Sequence, residues 1–268
     1  MNAQNAVTEA GAQPAAPVLS VEGLGVRYGA LVALEGVGWE VHAGELLSII
    51  GPNGAGKSSC YDAVTALVPR SGRVCLHGRE ITDVAPYRLA ALGIKRTFQQ
   101  NAFFDDLSVR ENMMAMLGKQ AHVGLLASAV NPFKASRRRA EAQDYAERLL
   151  ERFSIPAQFH DRRPKEISYG MQRMLSIALA YGRGASVLLL DEPAAGLGGA
   201  DMAALVRLLT ELKAEGMAVV VIEHHMDLVM AVADRIFVLD LGRPLACGTP
   251  SAIRNDPRVL EAYLGKTA

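Results

Sequence analysis

Residues 51–59 read Gly51-Pro52-Asn53-Gly54-Ala55-Gly56-Lys57-Ser58-Ser59. The first eight fit the spacing G-x-x-x-x-G-K-[ST], and the residue types state the chemistry. Glycines let the backbone wrap an anion without Cβ clashes, so successive amide N–H groups and a helix start can point at phosphate. Lys57 supplies a point charge for the β- and γ-phosphates, and Ser58 offers a hydroxyl to Mg2+. Such a loop needs a strand before it and a helix after it. Glu45 to Ile50 is a short apolar run of strand character, and Cys60 to Leu67 can continue as a helix.

A second set of reactive residues lies downstream. Leu188-Leu189-Leu190-Asp191-Glu192-Pro193 places two acids at the end of a buried apolar run. In open α/β sheets that carboxyl edge is where ligands bind. Asp191 can hold a metal ion or its water, supporting Ser58. Glu192 can act as general base on a water aligned with the γ-phosphate, a role that contributes ~10²–10⁴-fold. His224, after Val221-Ile222-Glu223, can donate to the γ-phosphate or orient that water. The pair His224-His225 also invites a metal reading, but no Cys or third His lies nearby at zinc-like spacing. Gln99, in Arg96-Thr97-Phe98-Gln99-Gln100, can reach Mg2+ or its water through its amide oxygen.

The elements that must position these residues follow from hydrophobic pattern. Val18 to Val41 alternates and is broken by Gly23, Gly25, Gly29, Gly36 and Gly38, which predicts antiparallel strands with tight turns. A further hairpin is expected around Gly78. Val187–Leu190 and Ala218–Ile222 are continuous apolar runs, as in parallel strands buried on both faces. Met202 to Gly216 has helical spacing between them, and Ile236–Leu239 is a later strand. The span from about Pro86 to Met174 is expected to be mostly helical. Ser136 to Phe153 is its clearest helix, with Tyr145, Leu149, Leu150 and Phe153 as a core-facing stripe. Lys134, Arg137, Arg138 and Arg139 form either a headgroup or partner contact, or a solvated helix start with an Arg137–Glu141 pair.

Bulk properties bound the function. A chain of 268 residues makes one large domain or two lobes on a shared core, and needs no disulfide or metal for stability. Lys+Arg and Asp+Glu are both 28, so no global basic field exists to hold nucleic acid. Cys60, Cys75 and Cys247 are odd in number and widely spaced, which points to a reducing compartment. No apolar run approaches the roughly 18 residues of a membrane span. Residues 1–17 carry no Lys or Arg and read as a disordered tail rather than a secretory signal.

The order of motifs resembles the nucleotide-binding subunit of an ATP-binding cassette (ABC) transporter, from about Leu19 to Gly265. Tyr28 matches the aromatic that stacks on adenine, Gly51–Ser59 Walker A and Gln99 the Q-loop. Ile167-Ser168-Tyr169-Gly170-Met171 matches the signature L-S-G-G-Q, Val187–Glu192 Walker B, Ala195–Gly198 the D-loop and His224 the switch histidine. The signature separates this family from small-molecule kinases that share the phosphate loop. The resemblance implies an α/β P-loop NTPase (RecA-like) core with an N-terminal antiparallel β subdomain and a helical subdomain, about 88–178, inserted within a domain spanning 18–268. It implies ATP and Mg2+ as ligands, with Lys57, Glu192 and His224 catalytic and Ser58, Gln99 and Asp191 at the metal. Nucleotide contacts would come from Tyr28, residues 51–59, Gln99, and Ser168, Tyr169 and Gly170.

A narrower likeness rests on Arg96-Thr97-Phe98-Gln99, Ser168-Tyr169-Gly170, Asp191-Glu192-Pro193-Ala194-Ala195-Gly196-Leu197, Ile222-Glu223-His224 and the ending Pro257 to Gly265. It is similar to the ATP-binding subunits of branched-chain amino-acid importers. That likeness implies a second ATPase subunit, as homodimer or heterodimer, two transmembrane permeases and, indirectly, a periplasmic substrate-binding protein, on the cytoplasmic face of the inner membrane. A lipopolysaccharide-export ATPase and a soluble ABC ATPase of translation or repair are the alternatives. The latter usually fuses two cassettes or adds a coiled coil, which 268 residues do not accommodate. Five positions depart from the family pattern: Ile167 for Leu, Tyr169 for Gly (common in this subgroup), Met171 for Gln, Gly198 for Asp or Asn, and His225 for Asp.

Overall fold

The structure, a computed structural model, describes residues 16–98, 102–117, 132–182 and 184–264. Two sheets share an apolar interior. Strand β1 (Leu19–Tyr28) pairs antiparallel with β2 (Leu31–Val41) and with β4 (Ser71–Leu76), and β5 (Arg79–Glu80) completes the order β2-β1-β4-β5. Glycines that break the alternation coincide with irregular pairing: register shifts fall between Val21 and Leu24 and between Leu24 and Val26. The hairpin expected around Gly78 is β4–β5.

The second sheet contains β3 (Leu46–Ile50), β6 (Ile94–Arg96), β7 (Val187–Asp191), β8 (Ala218–Ile222), β9 (Arg235–Asp240) and β10 (Arg243–Gly248). Its order is β10-β9-β3-β8-β7-β6, parallel throughout except for β10. The unbroken apolar runs of β7 and β8 are explained by two covered faces. Val187, Leu189, Ala218, Val220 and Ile222 join the core beneath the antiparallel sheet, whereas Leu188, Leu190, Val219 and Val221 join the helical side.

Helix α1 (Lys57–Val64) follows the glycine-rich loop, and α2 (Pro86–Leu92) leads into β6. Then come α3 (Val109–Met116), α4 (Pro132–Arg152), α5 (Tyr169–Tyr181), α6 (Gly199–Ala214) and α7 (Met226–Val232), and finally α8 (Pro250–Arg254) and α9 (Pro257–Leu264). The stripe expected on α4 is core: Leu149, Leu150 and Phe153 are buried with Val109, Met113 and Leu175, and Tyr145 packs at the margin. Fully burying such side chains contributes roughly 1.5–3 kcal/mol each. The Arg137–Glu141 pair forms at 3.1 Å on the exposed side.

One expectation is corrected. The span expected to be mostly helical contains β6, whose Ile94 and Arg96 pair with Val187 and Leu189. Residues 94–96 therefore belong to the central sheet, and the inserted helical part begins after them rather than near 88. The tail assignment falls on residues 1–15 outside the described residues, apart from Ala16 and Pro17. Because β6, β7, β8 and β3 are adjacent and parallel, the loops leaving their carboxyl ends converge on one edge.

Candidate active site

β3 delivers the chain into the glycine-rich loop. Gly56 sits at φ 98° as the N-cap of α1, and a Cβ there would stand 2.8 Å from the Ala33 carbonyl oxygen and 2.7 Å from a Leu34 methyl. Only glycine serves at that point. Lys57 is 8% exposed; its Nζ donates to the carbonyls of Gly51 (2.7 Å) and Pro52 (3.0 Å), so the loop curls around the ammonium. Burial lowers the Lys57 pKa, and the charges of Glu192 and Asp191 oppose that shift. Asn53, Gly54 and Ser58 are exposed, Pro52 and Ser59 half-buried, and Ala55 buried. Tyr28 stands exposed at the end of the β1–β2 hairpin, whose Ala33 and Leu34 abut Gly56.

Asp191 ends β7 and is 2% exposed. Its N–H donates to Thr97 Oγ1 at 3.0 Å. Arg96 reaches Asp191 Oδ2 at 3.4 Å, and its other terminal nitrogen holds Asp62 Oδ1 (2.7 Å) and Thr65 Oγ1 (2.9 Å) on α1 and its C-cap. Burial pushes the Asp191 carboxyl up from its ordinary pKa, and the Arg96 guanidinium pulls it back. Asp191 Oδ1 is buried with no hydrogen-bond partner. A buried, unpartnered carboxylate oxygen, in a site whose other candidate donor is the Ser58 hydroxyl, is a hard-oxygen set that suits Mg2+. Gln99, the third expected ligand, lies outside the described residues.

Glu192 takes a left-handed backbone, φ 47°, which costs a non-glycine residue on the order of 1–3 kcal/mol. Long-range bonds impose it: the Glu192 N–H donates to Ile222 O (2.9 Å), and Arg173 of α5 donates to the Glu192 carbonyl. The carboxylate thereby faces His224, with Oε1 3.5 Å from Nδ1. Behind His224 lies Glu223, fully buried. Its Oε1 accepts the Ala194 N–H (2.8 Å), and its Oε2 accepts the N–H groups of His224 (2.9 Å) and His225 (3.0 Å). Glu223, His224 and His225 are close enough to surround an ion. The Glu223 oxygens are already engaged by backbone amides.

The signature residues gather elsewhere. Ser168 caps α5, its Oγ accepting the Met171 N–H at 3.2 Å. The Tyr169 ring lies against Gly196, where a Cβ would stand 2.8 Å from a ring carbon, and Gly170 backs onto the Asp201 carboxylate. Among the described residues, no hydrogen bond or ion pair joins Ser168, Tyr169 or Gly170 to residues 51–59. Met171 packs on the helical core, and Gly198 begins α6 as an extended N-cap. The structure thus brings Lys57, Asp191, Glu192 and His224 together and leaves Ser168, Tyr169 and Gly170 apart from them. Sequence reasoning did not assign roles to Arg96, Thr97, Arg173 and Glu223. Their contacts span 94, 19 and 29 residues or more, and no local spacing encodes them.

Comparison with known proteins agrees with this geometry. Residues 34–195 match the family described as ABC transporter, and residues 243–268 the family described as branched-chain amino acid ATP-binding cassette transporter. The chain is 38% identical over 252 residues to the high-affinity branched-chain amino acid transport ATP-binding protein LivG of Escherichia coli (strain K12), covering 93% of this chain and 98% of that protein. Identity to BraF of Pseudomonas aeruginosa, a protein of the same description, is 37% with the same coverage. The ADP conformation of MJ1267, an ATP-binding cassette of an ABC transporter, superimposes with a TM-score of 0.79 at 28% identity, covering 94% of this chain and all of that one.

Proposed function

The chain belongs to the ABC transporter family as an ATP-binding and ATP-hydrolysing subunit that powers an importer, and from that premise we propose that its transporter carries branched-chain or chemically related amino acids. The match of residues 243–268 to the branched-chain amino acid family, together with the identity to LivG and BraF, supports that substrate class.

For the reaction, the carrying observation is the Glu192 carboxylate, fixed by a strained backbone 3.5 Å from His224 beside Lys57. Residues 51–59 cradle the phosphates of ATP, and Lys57 exchanges the Gly51 and Pro52 carbonyls for phosphate oxygens. Tyr28 stacks on adenine. Glu192 takes the proton of the attacking water, and His224 orients the γ-phosphate against it. Ser58, Asp191 and Gln99 would hold Mg2+, which supplies charge for the β- and γ-phosphates.

Ser168, Tyr169 and Gly170 serve a neighbour's nucleotide. Two subunits close around two ATP molecules, each triphosphate lying between one subunit's loop and the other's signature. Moving such a dimer from 1:99 to 99:1 closed needs about 5.5 kcal/mol, or roughly half from each nucleotide. Two permeases complete the transporter at the cytoplasmic face of the inner membrane, fed by a periplasmic binding protein. An open groove beside β6 exposes Tyr87, Phe98 and Met116, a surface suited to a permease segment. None of the described helices is long and apolar enough to cross a membrane.

The test is Glu192→Gln in the complex purified from membranes. ATP binding persists while hydrolysis falls ~10²–10⁴-fold. Normal turnover would remove Glu192 from the role of base.

A further inference from the structure

Glu223 has no part in the chemistry above, and His225 stands where relatives are expected to carry Asp. We propose that Glu223, backed by His225, is a positioning residue that holds the switch histidine and the exit from Glu192 as one rigid unit. The inference rests on the reading of Glu192 and His224 as the groups facing the attacking water.

The arrangement is a buried carboxylate with its acceptor sites filled from two strands. Oε1 takes the Ala194 N–H at 2.8 Å, on the loop leaving β7. Oε2 takes the His224 and His225 N–H groups at 2.9 and 3.0 Å, on the loop leaving β8, and lies 3.2 Å from His225 Nδ1. Ala194 is in turn tied to the base: Ala195 donates its N–H to the Glu192 carbonyl, and Leu197 to Ala194. Three amides on one ion are charge-assisted hydrogen bonds, stronger than neutral ones. Glu223 is 0% exposed, so the loss of any one bond is not made good by water. Both loops that carry reacting groups therefore end on the same carboxylate.

His225 explains its own presence in this frame. Its ring lies 4.3 Å from that of His224, centroid to centroid, tilted by 39°. With Nδ1 turned to Glu223, it packs against the His224 imidazole. An acid at 225 would bring a second carboxylate toward a buried one, whereas the imidazole offers a nitrogen that can donate to it.

Glu223→Gln keeps the shape and replaces one acceptor oxygen with a donor NH2, which cannot serve all three amides. In the complex purified from membranes and assayed with MgATP, kcat falls about ten- to a hundredfold, the order expected when reacting groups lose alignment. KM and ATP-dependent thermal stabilisation stay within about twofold and a few degrees, since Glu223 does not touch residues 51–59. Introduced into His224→Ala, the same change causes a smaller loss than in the wild-type background, since only its hold on the loop leaving Glu192 remains. His225→Ala lowers kcat several-fold with KM unchanged. An unchanged kcat in Glu223→Gln, or a loss fully additive with that of His224→Ala, would overturn the proposal. Should Glu223→Gln not fold, His225→Ala alone decides, and wild-type turnover there would overturn it. If Glu192→Gln keeps normal turnover, the reading of the active site has failed instead, whatever Glu223 does.

Discussion

The two faces that the proposed mechanism sets against nucleotide are built to different standards. Around Lys57, Asp191 and Glu192 the groups are buried, cross-braced and in part strained: Arg96 and Thr97 grip Asp191, and Ile222 and Arg173 pin Glu192. Around Ser168 the construction is light. Its contacts include a helix cap, an exposed tyrosine resting on Gly196 and a glycine against Asp201. Rigid placement is needed where a proton moves and a bond breaks, since misalignment there is costly in rate. A surface that docks on a second subunit's phosphates needs only donors and a helix start aimed outward. On the proposed mechanism, the first face is the half-site this chain completes alone and the second is the one it lends.

Three substitutions probe that contrast beyond Glu192→Gln. Lys57→Ala has the largest effect. The isolated chain loses its ATP-dependent thermal stabilisation, which at a hundredfold excess over Kd amounts to about 2.7 kcal/mol. An unchanged shift would break the assignment of the first face. Ser168→Ala leaves that shift in place apart from the lost cap, worth about 1 kcal/mol of stability. It weakens ATP-driven dimerisation about tenfold or more, as expected for one hydrogen bond to a charged phosphate; light scattering in the Glu192→Gln background measures it. Equal dimerisation would mean the second face is not lent at all. Gly196→Ala is smallest. At φ 73°, with the Tyr169 ring 2.8 Å from the new methyl, it destabilises by roughly 1 kcal/mol and shifts Tyr169. Chemical denaturation reports the first effect, and a dimerisation defect milder than that of Ser168→Ala the second.

Much of the first face is legible in sequence because its signals are local. A strand, six variable-and-glycine positions and Lys57-Ser58 occupy one stretch, and Asp191-Glu192 follow four apolar residues that suit a buried parallel strand. The long helix α4 is equally plain, since Leu149, Leu150 and Phe153 recur at helical spacing. β6 is not legible: Ile94-Lys95-Arg96 is too short and too charged to read as a strand, and pairing with β7 is what makes it one. The supports of the site are hidden for a related reason. Arg96 reads as a basic residue before Gln99, and Arg173 as a polar position on an apolar helix. Their work depends on acceptors brought close only by the folded sheet.

Arg173 joins the lightly built face to the heavily built one. It lies on α5, one turn past Ser168, and its guanidinium ends on the Glu192 carbonyl. On the proposed mechanism, whatever tugs the start of that helix when a companion's triphosphate docks is felt at Glu192 of the same polypeptide. Damage at 168–171 would then silence two catalytic centres at once, the borrowed one and the chain's own, so in a mixed pair of healthy and impaired copies the healthy copy could not rescue its mate.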